Sequence, residues 1–142
     1  MYQKMKELKR VKDVNKLYHL SIDNHDGETF YPRVPDSRQD DEDDKLNRVC
    51  FSNSMSGCFR AIFQKGYNNE ICYVHVPIKI NPKHLYKPSN KLVPDVDYTN
   101  EHWYRKPVKL KCIGKARFTY TDTIWSYNFL PPVKIKWIEK YE

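Results

Sequence analysis

The sequence contains no apolar run approaching the ~20 residues that span a bilayer. Its opening, MYQKMKELKRVKDVNK, holds no hydrophobic block of the kind a secretory leader requires. A cytoplasmic protein with no membrane partner is therefore expected. The four cysteines, Cys50, Cys58, Cys72 and Cys112, form no CxxC or CxxxC pair. Spacing gives no zinc site, no metal is expected, and the thiols read as free and buried. GxxxxGK, GxGxxG, HExxH and GxSxG are all missing. That argues against a P-loop ATPase, a dinucleotide fingerprint, a metalloprotease and a serine hydrolase elbow. Neither an RNP-type aromatic pair nor a helix-turn-helix signature is present.

What is present belongs to a folded domain. Hydrophobic residues make up 39% and aromatics 14%, enough apolar area to argue against disorder. The 142 residues fit one domain. Its expected organisation is a basic, helical segment over 1–16, where Met5, Leu8 and Val11 recur at helical spacing, followed by a single α+β domain over 17–142. The net charge is +7, unevenly spread. Residues 1–16 and 105–117 are lysine- and arginine-rich, whereas 36–45, DSRQDDEDDK, reads as a solvated, mobile acidic loop. A basic surface attracts nucleotides, nucleic acid or an acidic protein face without choosing among them.

Strand and helix signals alternate. KLYHLS reads as a strand with Leu17, His19 and Ser21 on one face, and RVCF as another. The following stretch, with Asn53 or Ser54 as cap and Met55, Cys58, Phe59, Ile62 and Phe63 at intervals of three and four, predicts an amphipathic helix that ends near Gly66. Gly57 permits a close backbone approach. ICYVHVPI predicts a strand with Cys72, Val74, Val76 and Ile78 toward the core, and Tyr73 and His75 away from it. PVKLKCIG starts a strand in which Gly114 allows a bulge. VKIKWIEKY reads as a lysine-protected edge strand. The expected fold class is α+β: a mixed, strongly bent β-sheet core with one or two short helices.

Several residues have both a structural and a functional meaning. His19 faces a pocket or packs in the core. Ser52 and Ser54, between a strand and a helix, hold an anion or simply cap. Arg33, pinned between Pro32 and Pro35, is a phosphate fork or a surface ion pair. Trp103 and Tyr104 wall a base-stacking cleft or fill the core. Trp125 and Trp137 belong to the core or to a homodimer face.

The segments LYHLS, PRVP, RVCFSNSMSGCFRAI, CYVHVPI, VPDVD and EHWYRKPVKLKCIG resemble those of small phage and prophage proteins, over roughly residues 17–115. Their order also resembles the ADP-ribosyltransferase fold: a first strand with a histidine, a strand ending in serine before a helix, and a glutamate near a late strand. That resemblance lands on His19, on Ser52 and Ser54, and on Glu101; with Ser21, the rigid Arg33 and the aromatic Trp103 and Tyr104, the expected nucleotide-binding residues are His19, Ser21, Arg33, Ser52, Ser54, Trp103 and Tyr104. It implies catalytic roles for Glu101 and His19 if the protein is an enzyme. No ExE or QxE pair accompanies Glu101. The expected ligand is NAD or an ADP-ribose-containing nucleotide, with no cofactor required. Three functions follow as expectations. The first is binding of an NAD-derived or other signalling nucleotide, with sequestration of a host defence signal in the host cytoplasm. The second is NAD-dependent ADP-ribosyl transfer or NAD cleavage. The third is inhibition of a host protein. Nucleic-acid binding would need the basic strips to form one continuous track.

Overall fold

A computed structural model of the chain describes residues 6–11, 16–35, 42–62, 70–120 and 132–141. Its elements, in order, are β1 (Leu8–Arg10), β2 (His19–Ser21), β3 (Thr29–Phe30), β4 (Val49–Ser52), α1 (Met55–Ile62), β5 (Glu70–Pro77), a 3-10 turn (Pro82–His84), β6 (Leu85–Pro88), α2 (Val96–Thr99), β7 (Glu101–Tyr104), β8 (Val108–Tyr120) and β9 (Val133–Lys140). The fold is α+β and dominated by antiparallel sheet. One sheet runs β1-β6-β7-β4; the other runs β2-β5-β8, with β3 and β9 both pairing with β8. All the described ladders are antiparallel. Among the described residues no helix is long and apolar enough to cross a membrane.

The basic N-terminal segment departs from expectation. Leu8–Arg10 is a strand, paired from Leu8↔Pro88 to Arg10↔Tyr86. Ladder pairing, with Leu8 packed beside Trp103 and Val96, outweighs a thin helical periodicity. The remainder of that segment, 1–5 and 12–15, lies outside the described residues, as do 36–41, Phe63, Gly66 and Trp125. The described end of the acidic run is a loop that is solvated only in part: Asp44 and Lys45 are exposed, but one carboxylate is turned inward. Asp43 is buried; its carboxylate accepts from the amides of Lys45 at 3.1 Å and Leu46 at 2.7 Å and from Arg48 Nη1 at 3.1 Å. A buried carboxylate is tolerable because so many donors face it.

The second sheet serves two cores by way of one irregularity. Val74 pairs with Gly114 and His75 with Cys112, so Ile113 is an extra residue in β8. Cross-strand partners share a face. Val108, Leu110 and Cys112 therefore point to the side of His75, while Ala116 and Phe118 point to the side of Val74. The cores divide accordingly. Val108 and Leu110 pack with Leu17, Val49, Phe51, Leu85 and Tyr104 between the sheets. Ala116, Phe118 and Tyr120 pack with Leu20, Cys72, Val74, Cys58 and Phe59 beneath α1. The expected division of β5 holds for Cys72 and Val74 only. His75 is fully buried because its own face is a second core, and Ile78 is 56% exposed because it lies past the end of the strand.

The bulge is built on Gly114, whose φ is +150°. A Cβ there would lie 2.2 Å from the Glu139 carbonyl oxygen and 2.8 Å from the Trp137 ring. Asp26 Oδ1 accepts from the Cys112 amide at 2.9 Å, next to the bulge. Both the backbone conformation and the lack of space exclude a side chain. Gly114→Ala is expected to cost about 3 kcal/mol through strain and overpacking, read as a lowered urea midpoint with an unchanged slope.

Candidate functional site

The two sheets touch at a seam. β4 is an edge strand of the first sheet. Its free edge is bridged at one end by Tyr18, whose amide donates to the Ser52 carbonyl at 2.8 Å and whose carbonyl accepts from the Ser52 amide at 3.0 Å. Arg33 and Arg48 exchange the equivalent pair, both at 3.0 Å, at the other end. Residues 48 and 52 direct their backbone groups outward, and by the same alternation so does Cys50. A cavity of about 190 Å³ lies against this stretch, lined by residues that include His19, Tyr31, Arg33, Glu42, Arg48, Cys50, Ser52, Asp95, Thr99 and Glu101.

His19 closes the outward edge. Its Nδ1 donates to the Cys50 carbonyl at 3.2 Å. A carbonyl only accepts, so the proton is on Nδ1 and Nε2 is left as an acceptor. The ring meets Phe30 edge-on at 5.2 Å and Phe51 at 6.4 Å. Burial pushes its pKa down to about 4, the Cys50 hydrogen bond pulls upward, and His75 and His25 add to the depression. His19 is therefore a neutral imidazole. Its strand neighbour His75 is held as firmly: Nδ1 donates to the His19 carbonyl at 3.2 Å, and Nε2 accepts from the His25 amide at 2.9 Å.

Ser52 and Glu101 are register partners across β4 and β7, with Cys50 opposite Trp103. Ser52 is committed internally. Its hydroxyl donates to the Thr99 carbonyl at 2.6 Å and accepts from the Ser54 amide at 3.3 Å. It thereby ties α2 to the start of α1, an approach that Gly57 permits: a Cβ there would be 2.3 Å from the Thr99 oxygen and 2.5 Å from Ser52 Oγ. Glu101 follows Asn100, a left-handed residue with φ 51° that ends α2 and delivers the chain into β7. The Glu101 side chain is 8% exposed. Burial pushes its carboxyl up, against the pull of Cys50, Trp103 and Arg48, while Asp95 adds to the rise. Burial and the Glu101 charge push the adjacent Cys50 thiol well up, so this thiol is protonated and poorly nucleophilic.

His19, Arg33, Ser52 and Glu101, expected as site residues, thus border a common hollow. The remaining expected residues do not line it. Ser21 Oγ contacts His25 Nε2 at 3.1 Å. Ser54 is a cap, accepting from the Gly57 amide at 2.9 Å. Trp103 is fully buried under the Arg48 guanidinium, 4.0 Å from its ring. Tyr104 is in the inter-sheet core, its hydroxyl accepting from the Asn81 amide at 3.1 Å. Both aromatics pack because all four β7 residues are buried; a base-stacking wall would need one exposed face. Sequence reasoning passed over Arg48, Cys50, Asp95 and Tyr31. The signal for Arg48 was available: an arginine between an acidic run and an apolar strand is placed to be drawn inward by those acids.

Acid should act on this site through His19. Its pKa is lower folded than unfolded, so the unfolded chain binds the extra proton between about pH 6.5 and pH 4. Stability contributed above that window is lost as pH falls through it, by up to about 3 kcal/mol. Urea titrations at pH 7 and pH 4.5 should show the loss, and His19→Gln should remove most of this component.

No protein-family model, no curated protein and no solved structure matches the chain, so the site is argued from its own geometry and chemistry.

Proposed function

We propose that this protein is a nucleotide-binding module of the ADP-ribosyltransferase-like kind, which holds an NAD-derived or other signalling nucleotide in the seam cavity. The observation that supports it is the convergence of His19, Arg33, Ser52 and Glu101 on one hollow from four separate segments of chain. A neutral histidine with an open acceptor nitrogen suits a ribose hydroxyl or a base amide. Exposed Tyr31 on the rim offers a ring for stacking, and the net charge of +7 draws anionic ligands.

Holding is favoured over turnover. Departure of nicotinamide builds positive charge on the ribose, and an ionised carboxylate is what would stabilise it. Burial raises the Glu101 carboxyl above its ordinary value, which works against the ionised form that such stabilisation needs, and no ExE or QxE pair accompanies it. A protein that binds without cleaving is suited to sequestration, the role we assign to it against a host defence signal in an infected cell.

Calorimetry with ADP-ribose, NAD and cyclic nucleotides tests the reading. At least one should bind, and His19→Ala should weaken it by about tenfold, the effect of one well-placed hydrogen bond. Glu101→Gln, which keeps the shape of the side chain and removes its charge, should leave affinity within about twofold. Incubation with NAD should release no nicotinamide. Binding of none of these ligands would sink the proposal, and nicotinamide release abolished by Glu101→Gln would replace it with the enzymatic reading.

A further inference from the structure

The Arg48 residue is 1% exposed, and its side chain is wholly enclosed, as is that of its partner Asp43. Its guanidinium lies over the Trp103 ring at 4.0 Å. Only one corner is satisfied: Nη1 donates to the Asp43 carbonyl at 3.0 Å, to Asp43 Oδ2 at 3.1 Å and to the Leu46 carbonyl at 2.9 Å. Nε and Nη2 are buried without a hydrogen-bond partner. These two nitrogens form one edge of the guanidinium plane, the edge whose parallel N–H groups match the two oxygens of a carboxylate or phosphate. Arg48 borders the cavity, and the approach to Nη2 is covered by Glu42, whose Oε2 is 3.8 Å away. That is ion-pair distance and too long for a hydrogen bond.

Buried donors left unmatched are costly, and native structures keep them for a reason. The fold has fixed this plane from below with an aromatic ring and from one corner with three acceptors, while the fork edge makes no hydrogen bond and meets only the Glu42 carboxylate at 3.8 Å. We propose that the Nε–Nη2 edge of Arg48 is the oxyanion receptor of the cavity, taking a phosphate or carboxylate group of the ligand, with the Glu42 carboxylate as the internal occupant it displaces. This rests on the reading that the cavity takes a phosphorylated ligand, and adds which residue reads the phosphate. The other charged groups on the cavity wall set the balance. Arg33 adds positive charge; Glu42 and Asp95 oppose an anion, and Glu101 does so in its ionised form, which burial disfavours. Of these, Glu42 alone is in an ion pair with Arg48 at the fork edge, and it is the one that must yield.

The test follows the Arg48 Nε–H cross-peak in proton–nitrogen spectra, assigned by its loss in Arg48→Lys, with inorganic pyrophosphate and ADP-ribose as separate probes. Pyrophosphate should shift that peak saturably. Glu42→Gln should tighten binding by about threefold or more by removing the competing charge, and Arg48→Lys should weaken it by about tenfold, because a lysine keeps the charge but loses the fork. If Arg48→Lys does not fold, the peak is assigned in the wild-type protein by through-bond correlation from the Arg48 side-chain carbons, and its response to the two probes decides. A peak unmoved by both probes overturns the proposal, as does equal affinity in Arg48→Lys. Pyrophosphate moving the peak while ADP-ribose fails to bind would leave this site standing and remove the nucleotide reading. ADP-ribose binding with the Arg48 peak unmoved would do the reverse.

Discussion

The described architecture depends on one irregular pairing, the extra residue Ile113 set against β5 between Val74 and His75. β8 is thirteen residues long and buries every second side chain without interruption. A regular strand with that pattern would feed one core. The bulge turns the second half over, so the same alternation supplies the inter-sheet core with Val108 and Leu110 and the helix-covered core with Ala116 and Phe118. Gly114 makes this feasible, since its φ of +150° and crowded Cβ position admit no other residue without strain.

The same inversion divides the basic charge. Lys111 pairs with Val76, and Lys115 with Tyr73, on opposite faces of β5. Lys109 and Lys111 therefore project to one side of the sheet and Lys115 and Arg117 to the other, where Lys136 lies opposite Arg117. A segment that reads as one basic strip is two short ones facing apart. Nucleic-acid binding calls for a continuous track of such charge, and this strand does not offer one.

Where the sheets meet, the fold keeps its polar groups neutral or enclosed. His19 and His75 are both held down by burial, each with Nδ1 donating to a carbonyl. Cys50 and Glu101 are both held up by it. Arg48 and Asp43 face each other at 3.1 Å within a shell of backbone partners. The result is a cavity lined by both acidic and basic side chains, Glu42, Asp95 and Glu101 with Arg33 and Arg48, in a protein of net charge +7. Steering of an anion would come from the exterior, and discrimination from the wall.

The sequence by itself determined the local pieces. The cap at Ser54, the Cys58 and Phe59 stripe, the strands around His19, Cys50 and Val74, and the glycine at the bulge are written in short-range chemistry: hydrogen-bonding reach, periodicity and backbone freedom. Only the tertiary structure decided what each piece faces. Leu8–Arg10 became a strand because a partner edge was waiting; His75 was buried because a second core lies on its side of the sheet; Trp103 became a platform for Arg48 instead of an open stacking surface. Alternation along a strand fixes which residues share a face and carries no information about what covers that face. Cores, seams and cavities are made by segments far apart in the chain, and their placement rests on pairings that no single segment encodes.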